Sequence, residues 1–288
     1  MVRLRRSPRA PAVAAVSGEF GRDLDTCFAR IARTVERARA RGAQLVVFPE
    51  SALGGYQWEA HAAAGALAVA PPPALRSDGD EIARLARIAG PTVVCAGYTE
   101  EGPRGSYSSA VCVNGDGLLG HHRKVHIPPT ERGLLAPGEG FAAFDTPIGR
   151  VGMLICYDKV FPEAARDLSL DGAEIIASLA AWPVSRERPA SLTSRDRQVL
   201  HFDLLDRARA VENQVVWVSA NQSGRFGRLR FPGRAKVVDP EGRVLASTGA
   251  RPGVALARVD ALGSVERARN GLSHLEDRRP GAYRLASA

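Results

Sequence analysis

Short apolar runs of strand length alternate with segments of helical periodicity along nearly the whole chain. Pro11–Val16 reads as a short buried strand. Leu24, Phe28, Ile31 and Val35 then share one face at helical spacing, capped by Asp23 or Asp25 and stopped by Gly42. Gln44–Phe48 is a continuous apolar run, the mark of a buried strand. The same reading predicts helix Asp80–Ala89 and strands Thr92–Gly97, Ser109–Asn114 and Leu118–His122, the last two joined by a turn at Gly115-Asp-Gly117. Strand Arg150–Ile155, helix Pro162–Leu170, strand Glu174–Leu179, helix Asp203–Asn213 and strand Val215–Ala220 follow. A closing hairpin pairs Ala235–Val238 with Arg243–Ala246 across Asp239-Pro-Glu-Gly242.

Helices interleaved with apolar strands and hairpins predict a mixed α/β layered fold. No Pro/Gly/Ser-rich linker divides the 288 residues and no tandem repeat appears, so one domain is expected. Pro71-Pro-Pro73 reads as a surface loop. Residues 1–8 are expected to be flexible, and the tail over residues 262–288 is a candidate for oligomer contacts.

Composition narrows the function classes. The chain is 45% hydrophobic and 24% charged, as in an ordinary globular protein. No stretch approaches the roughly 18 uninterrupted apolar residues of a membrane helix. The arginine pair near the start is followed only by the short apolar segment Ala10–Val16, with no convincing cleavage site, so a cytoplasmic location is expected. The net charge of +8 invites a nucleic-acid reading. The arginines, however, are scattered and interleaved with acids, as in Asp203–Arg209, and form no compact basic stripe.

Of the 39 basic residues only Lys124, Lys159 and Lys236 are lysines. A lysine where the chain otherwise writes arginine hints at a need for a compact amine with a tunable pKa. Cys27, Cys95, Cys112 and Cys156 include no CxxC pair and fit no zinc framework, and disulfides are not expected. His121, His122 and His126 cluster around Lys124 without a Cys, Asp or Glu at ligand spacing, so neither metal nor cofactor is expected.

Three segments place a reactive residue at the end of an apolar strand, where open α/β sheets build their sites. Val46-Val-Phe-Pro-Glu50 puts a carboxylate in a partly desolvated position suited to a general base, though a loop glutamate has the same look. His121-His-Arg-Lys-Val-His126 reads either as an edge-strand charge cluster or as a lysine able to steady an oxyanion. Gly149–Glu163 ends a strand at Cys156 and opens a helix at Pro162-Glu163, a turn that favours a thiolate. The other three cysteines sit inside apolar segments and read as small core residues.

Together these segments resemble the nitrilase superfamily of carbon–nitrogen hydrolases over nearly the whole chain. Phe48-Pro-Glu50, Arg123-Lys-Val-His126 and Gly152-Met-Leu-Ile-Cys-Tyr-Asp158 with Phe161-Pro-Glu163 match its glutamate, lysine and cysteine motifs. Arg209-Ala-Val-Glu-Asn213, Asn221 with Gly224, Phe231-Pro-Gly233, Asp239-Pro-Glu-Gly242, and Asp277-Arg-Arg-Pro280 with Tyr283 agree as well; Ala235 departs, where many members carry Ser. The resemblance implies a four-layer α-β-β-α sandwich. It also implies a nucleophile at Cys156, a base at Glu50, an oxyanion-binding Lys124 and a second acid, Glu131, near Pro137-Gly138. A backbone N–H near Tyr157 or Asp158 would share the oxyanion, and Tyr56 and Trp182 would wall the pocket. Cys-Tyr-Asp is more typical of branches that cleave amides and N-carbamoyl amines than of nitrilases. The partners expected are a small amide substrate and further copies of the chain. Lys159 is placed in solvent, with contact to a substrate carboxylate as the alternative.

Overall fold

In the computed structural model, which describes residues 10–56 and 71–283, Asp23 accepts from the Thr26 amide and starts the first helix. The elements in chain order are β1 (Ala12–Gly18), α1 (Leu24–Ala40), β2 (Ala43–Val47), β3 (Ala74–Leu75), α2 (Asp80–Ala89), β4 (Val93–Gly102), β5 (Gly105–Asn114) and β6 (Gly117–Arg123). Then come β7 (Phe144–Thr146), β8 (Gly149–Ile155), α3 (Pro162–Leu170), β9 (Ile175–Ala180), α4 (Arg197–Asn213) and β10 (Val216–Phe226). The chain closes with β11 (Leu229–Pro232), β12 (Lys236–Val238), β13 (Val244–Ser247), β14 (Gly253–Arg258) and α5 (Ala261–Arg269).

The strands form two halves. One runs β6-β5-β4-β2-β1, with β14 antiparallel on β1; the other runs β7-β8-β9-β10, with β12 and β13 beyond it. They join where β1 and β10 pair in parallel at Ser17–Asn221 and Gly18–Gln222. Alternation along each strand sets the layers. Val13, Ala15, Leu45, Val47 and Cys95 of the first half pack against Ile175, Ala177, Val216 and Val218 of the second. The intervening residues Ala14, Val46 and Val94 meet Phe28, Ile31 and Val35 of α1 and Leu85 of α2. On the other side Leu154, Ile176 and Trp217 meet Ala164, Ala165 and Leu168 of α3 and Ala210 of α4. The result is a single α-β-β-α sandwich, with parallel strands in the middle of each half.

Helix α4 begins at Arg197, earlier than the Asp203 expected from sequence, because Asp196 caps it by accepting from the Gln198 amide. Its buried face mixes Val199 and Phe202 with Asp206, Arg209 and Asn213, which hides the apolar period. Strands β3, β7, β11 and β14 and helix α5 were not expected. Pro72 is buried, so the proline run is only partly surface. The flexible terminus assigned to residues 1–8 lies outside the described residues. The C-terminal segment packs on its own chain, with Gln214 Nε2 donating to Ala268 O (2.6 Å) and Leu272 O (2.8 Å). Among the described residues no helix is long and apolar enough to cross a membrane.

Candidate active site

Glu50, Cys156 and Ala181 follow the C-terminal ends of the parallel strands β2, β8 and β9, which brings all three to one end of the sandwich. Both candidate positions involve a left-handed backbone: Ser51, directly after Glu50, has φ 56°, and Cys156 itself has φ 48°. A non-glycine residue held there is strained, and such strain collects where surrounding structure fixes a side chain for a task. The loop after β2 is held close to β4, where Gly97 donates to Pro49 O and accepts from Leu53 N. A Cβ at Gly97 would lie 2.6 Å from Ser51 N and 2.7 Å from Glu50 Cα, so only glycine lets the two segments meet.

Lys124 follows β6, with its N–H donating to Ser108 O (2.8 Å) and its C=O accepting from Gly138 N (2.8 Å). A Cβ on Gly138 would lie 2.3 Å from Arg123 O, which accounts for glycine in Pro137-Gly138. The Lys124 ammonium is fully buried and donates to Glu50 Oε1 at 2.9 Å and to Glu131 Oε2 at 2.7 Å. Glu50 Oε1 also accepts from Ser108 Oγ (3.1 Å), and Glu50 Oε2 from the Ala181 amide (2.9 Å). Gln222 Nε2 donates to Glu50 O (3.0 Å), fixing the backbone that presents the carboxylate. The Tyr56 hydroxyl donates to the second oxygen of Glu131.

Burial alone would lower the Lys124 ammonium, but Glu131 and Glu50 outweigh it and hold the group well above its ordinary value. The lysine therefore stays cationic between two carboxylates. For Glu131 burial pushes upward and Lys124 pulls back, leaving the acid somewhat raised. Burial, then the Glu50 charge, push the Cys156 thiol well up; Lys124 and the Ala181 N–H oppose them. The resting sulfur is thus held as a thiol, not as the thiolate that the strand-to-helix turn favours in the sequence reading. Burial, then Glu131, keep Tyr56 un-ionised.

Cys156 opens into a cavity of about 260 Å³ whose walls include Tyr56, Glu131, Tyr157 and Trp182. Tyr157 sits edge-on to Phe161, and Trp182 donates its Nε1–H to Gln198 O (3.0 Å). The Trp182 amide is held by Asn221 Oδ1 (2.8 Å).

Asp158 does not line this cavity. It is fully buried and accepts from the amides of Ile155, Val125 and His126 and from the rings of His122 and His126, which tie the Lys124 segment to the Cys156 turn. Burial raises its carboxyl, but these donors win and hold it at about 2. The histidine cluster is thus divided: His122 and His126 serve Asp158, and His121 meets Glu100 at 2.9 Å. Among the described residues no group of three or more His, Cys, Asp and Glu has the arrangement of a metal site.

Lys159 is not in solvent. It is fully buried, 2.8 Å from Asp206 Oδ1 and 3.4 Å from the centre of the Phe202 ring. Lys236 takes the other oxygen of Asp206 at 2.6 Å, and Trp217 Nε1 donates to Asp206 Oδ1. Arg209 donates to Lys159 O and Val160 O, docking the turn after Cys156 onto α4. Ser108, Ala181 and Gln222 were not found from sequence: Ser108 and Gln222 look like ordinary strand positions, and Ala181 acts through its amide.

A family model described as carbon–nitrogen hydrolase matches residues 12–269. A nitrilase of Pyrococcus abyssi is 32% identical over 228 residues, which span 77% of this chain and 78% of that relative. A deaminated glutathione amidase of Rattus norvegicus is 33% identical over 276 residues, 89% of this chain and 78% of the relative. The structure of a mutant of a Nesterenkonia AN1 amidase from the nitrilase superfamily superposes with a TM-score of 0.76 at 24% identity, covering 96% of this chain and 97% of that one, a likeness of fold. With the sandwich and the Glu50, Lys124 and Cys156 segments in place, the chain belongs to the carbon–nitrogen hydrolase family.

Proposed function

We propose that the protein hydrolyses the C–N bond of a small, non-peptide amide or N-carbamoyl amine through a thioester on Cys156. The observation that carries this reading is the buried Lys124 ammonium shared between Glu50 and Glu131, with Glu131 lining the Cys156 cavity and the charges of all three acting on the Cys156 thiol. In this reading Glu50 takes the thiol proton as the sulfur attacks the carbonyl carbon. The carbonyl oxygen becomes an oxyanion held by Lys124 and a backbone N–H at Tyr157 or Asp158. Glu50 returns the proton to the departing nitrogen, and the tetrahedral adduct collapses to a thioester. A water molecule, deprotonated by Glu50, then attacks the thioester and releases the acid with the thiol restored. Glu131 orients Lys124, and Tyr56 orients Glu131. An arginine at position 124 would not serve, because its planar fork cannot fit the compact site between the two acids. Tyr56, Tyr157 and Trp182 shape the space beside the sulfur, and Asp158 holds the turn from behind.

A nitrile substrate is the second reading, favoured by the likeness to the Pyrococcus protein named a nitrilase. Ammonia release from a panel of small amides, N-carbamoyl amines and nitriles separates the two. Turnover of amides or carbamoyl compounds supports the proposal; turnover of nitriles alone replaces it with the second reading.

A further inference from the structure

All three lysines of the chain are withdrawn from solvent and each faces a carboxylate: Lys124 faces Glu50 and Glu131, while Lys159 and Lys236 share Asp206. The proposed reaction uses Lys124 alone. Lys159 nevertheless stands in the same tight helical turn as the nucleophile, Cys156–Val160. That turn leaves Cys156 on a left-handed backbone, φ 48°, a conformation that persists only where its surroundings hold it. Asp158 ties the turn to the Lys124 segment. Lys159 reaches instead to α4: its Nζ donates to Asp206 Oδ1 at 2.8 Å, and its carbonyl accepts from Arg209 Nε at 2.9 Å. Asp206 and Arg209 are three residues apart, neighbours on one face of α4, so a single helix grips the turn by side chain and by backbone.

Stability does not account for a charge at position 159. The attraction within a buried ion pair often fails to offset the desolvation of its members, and apolar packing of the same volume serves as well or better. Here one carboxylate, Asp206, faces two ammonium groups, and Lys236 leans partly on Asp203, which already meets Arg234. Burial lowers Lys159 to about 8, with Asp206 pulling against it and Lys236 adding to it. Strand β9 brings no titratable side chain to the turn, and α3 packs through Ala164, Ala165 and Leu168. The remaining charge that acts on Lys159 is that of Cys156, which raises it when ionised. Such coupling is reciprocal, so an ammonium at position 159 favours negative charge at the sulfur.

We propose that Lys159 is a positioning residue for the nucleophile: its ammonium, held by Asp206, fixes the Cys156 turn on α4 and turns a positive charge toward the sulfur. The proposal rests on Cys156 as the nucleophile of C–N cleavage. The charged form matters because a charge-assisted hydrogen bond to Asp206 is roughly twice as strong as a neutral one. Trp182, whose ring lies 5.4 Å from Lys159 Nζ, has partners of its own in Asn221 and Gln198, so loosening the turn leaves the cavity wall in place. The loss of Lys159 therefore falls on kcat, not on KM.

The test is kcat and KM for wild type, Lys159→Met and Lys236→Met on an amide that the wild type turns over, from about pH 6 to pH 10. Lys159→Met is expected to keep its KM and to lose about 10- to 100-fold in kcat at neutral pH, as when a reacting group is misplaced by a fraction of an ångström. In wild type kcat/KM, which reports the free enzyme, should fall as pH rises through about 8, because Lys159 is charged below that value and neutral above it. That alkaline limb should be missing in Lys159→Met. Lys236→Met should move it to higher pH, because Lys236 helps to hold Lys159 down, and this shift carries the test if Lys159→Met does not fold. A merely structural role would lower activity without moving the limb. A kcat within about twofold of wild type in Lys159→Met, or a limb unmoved in both variants, overturns the proposal while leaving the amidase reading standing. A Cys156→Ala protein as active as wild type removes both.

Discussion

Lys124 Nζ lies 2.9 Å from Glu50 Oε1 and 2.7 Å from Glu131 Oε2, with all three side chains withdrawn from solvent. A single ammonium thus balances two carboxylates contributed by separate loops. The arrangement has a stability consequence as well as a chemical one. Removing one partner of a buried pair leaves the other uncompensated, at about 3–5 kcal/mol, whereas the intact cluster offsets its own desolvation. Lys124→Ala is expected to lower unfolding free energy by that order and to cut kcat by at least about 100-fold through loss of an oxyanion donor. Urea unfolding and steady-state kinetics on the same preparation check both halves; full stability with full activity would contradict the assignment.

The outer end of the cluster makes a smaller prediction. Tyr56→Phe removes the donor to Glu131 and leaves a buried carboxylate oxygen short of one hydrogen bond, which costs about 1–3 kcal/mol. Activity should fall, with kcat affected more than KM if Tyr56 acts by orienting Glu131 and Lys124. A rise in KM alone would make Tyr56 a substrate contact instead.

Asp206 and Lys159 form the second buried network, and its members are not equivalent. Asp206→Asn strands the buried Lys159 ammonium and leaves Lys236 with Asp203 alone, and is expected to cost about 3–5 kcal/mol. Lys159→Met still leaves Asp206 paired with Lys236 and Trp217, and should cost far less. Burial lowers Lys159 to about 8, against the pull of Asp206. Between pH 8 and the ordinary lysine value of 10.5, the unfolded chain then binds more protons at this site than the folded one. Its contribution to stability therefore rises with pH across that window. Denaturation at a series of alkaline pH values should show a positive slope that is reduced in Lys159→Met.

The acid range has the same sign, with stability again rising with pH. Asp158 and Glu100 are each held at about 2, where burial would raise them but the hydrogen bonds from His122 and His126 to the first, and from His121, Arg123 and Ser109 to the second, prevail. Depressed carboxyls stabilise the fold above their unfolded values of 3.8 and 4.5, and that contribution is lost as pH falls toward 2. The loss is on the order of 2 kcal/mol for each group. Asp158→Ala should remove its share and loosen the join between the Lys124 and Cys156 segments; an unchanged acid-denaturation profile in that variant would argue against the clamp.

The mixed α/β alternation and the positions of Glu50, Lys124 and Cys156 just past strand ends were legible in the sequence because they are local, whereas the four-layer order followed from the family resemblance. Strand ends such as Phe48 and Ile155 sit beside their reactive residues, and the apolar runs behind them are covered on both faces. What the chain does not announce is tertiary. Lys159 reads as a solvated charge because its partner, Asp206, is distant in sequence and lies on a helix whose buried face is polar. The resemblance places Asp158 beside the substrate, through a backbone N–H near the oxyanion, yet its side chain turns back to collect amides from two segments. Ala181 contributes through its main chain, which no side-chain pattern can reveal. Strand β14 is fixed by pairing with β1 at the far end of the chain, a partner that no local pattern names.

The most direct test of the account is the rate of ammonia release by Cys156→Ala on an amide that the wild-type protein turns over. With the thiol gone, neither the base nor the ammonium has a nucleophile to assist, and the rate is expected to fall by about 10⁴-fold or more while the fold stays intact. A Cys156→Ala protein that releases ammonia within about tenfold of wild type would show that the sulfur is not the nucleophile.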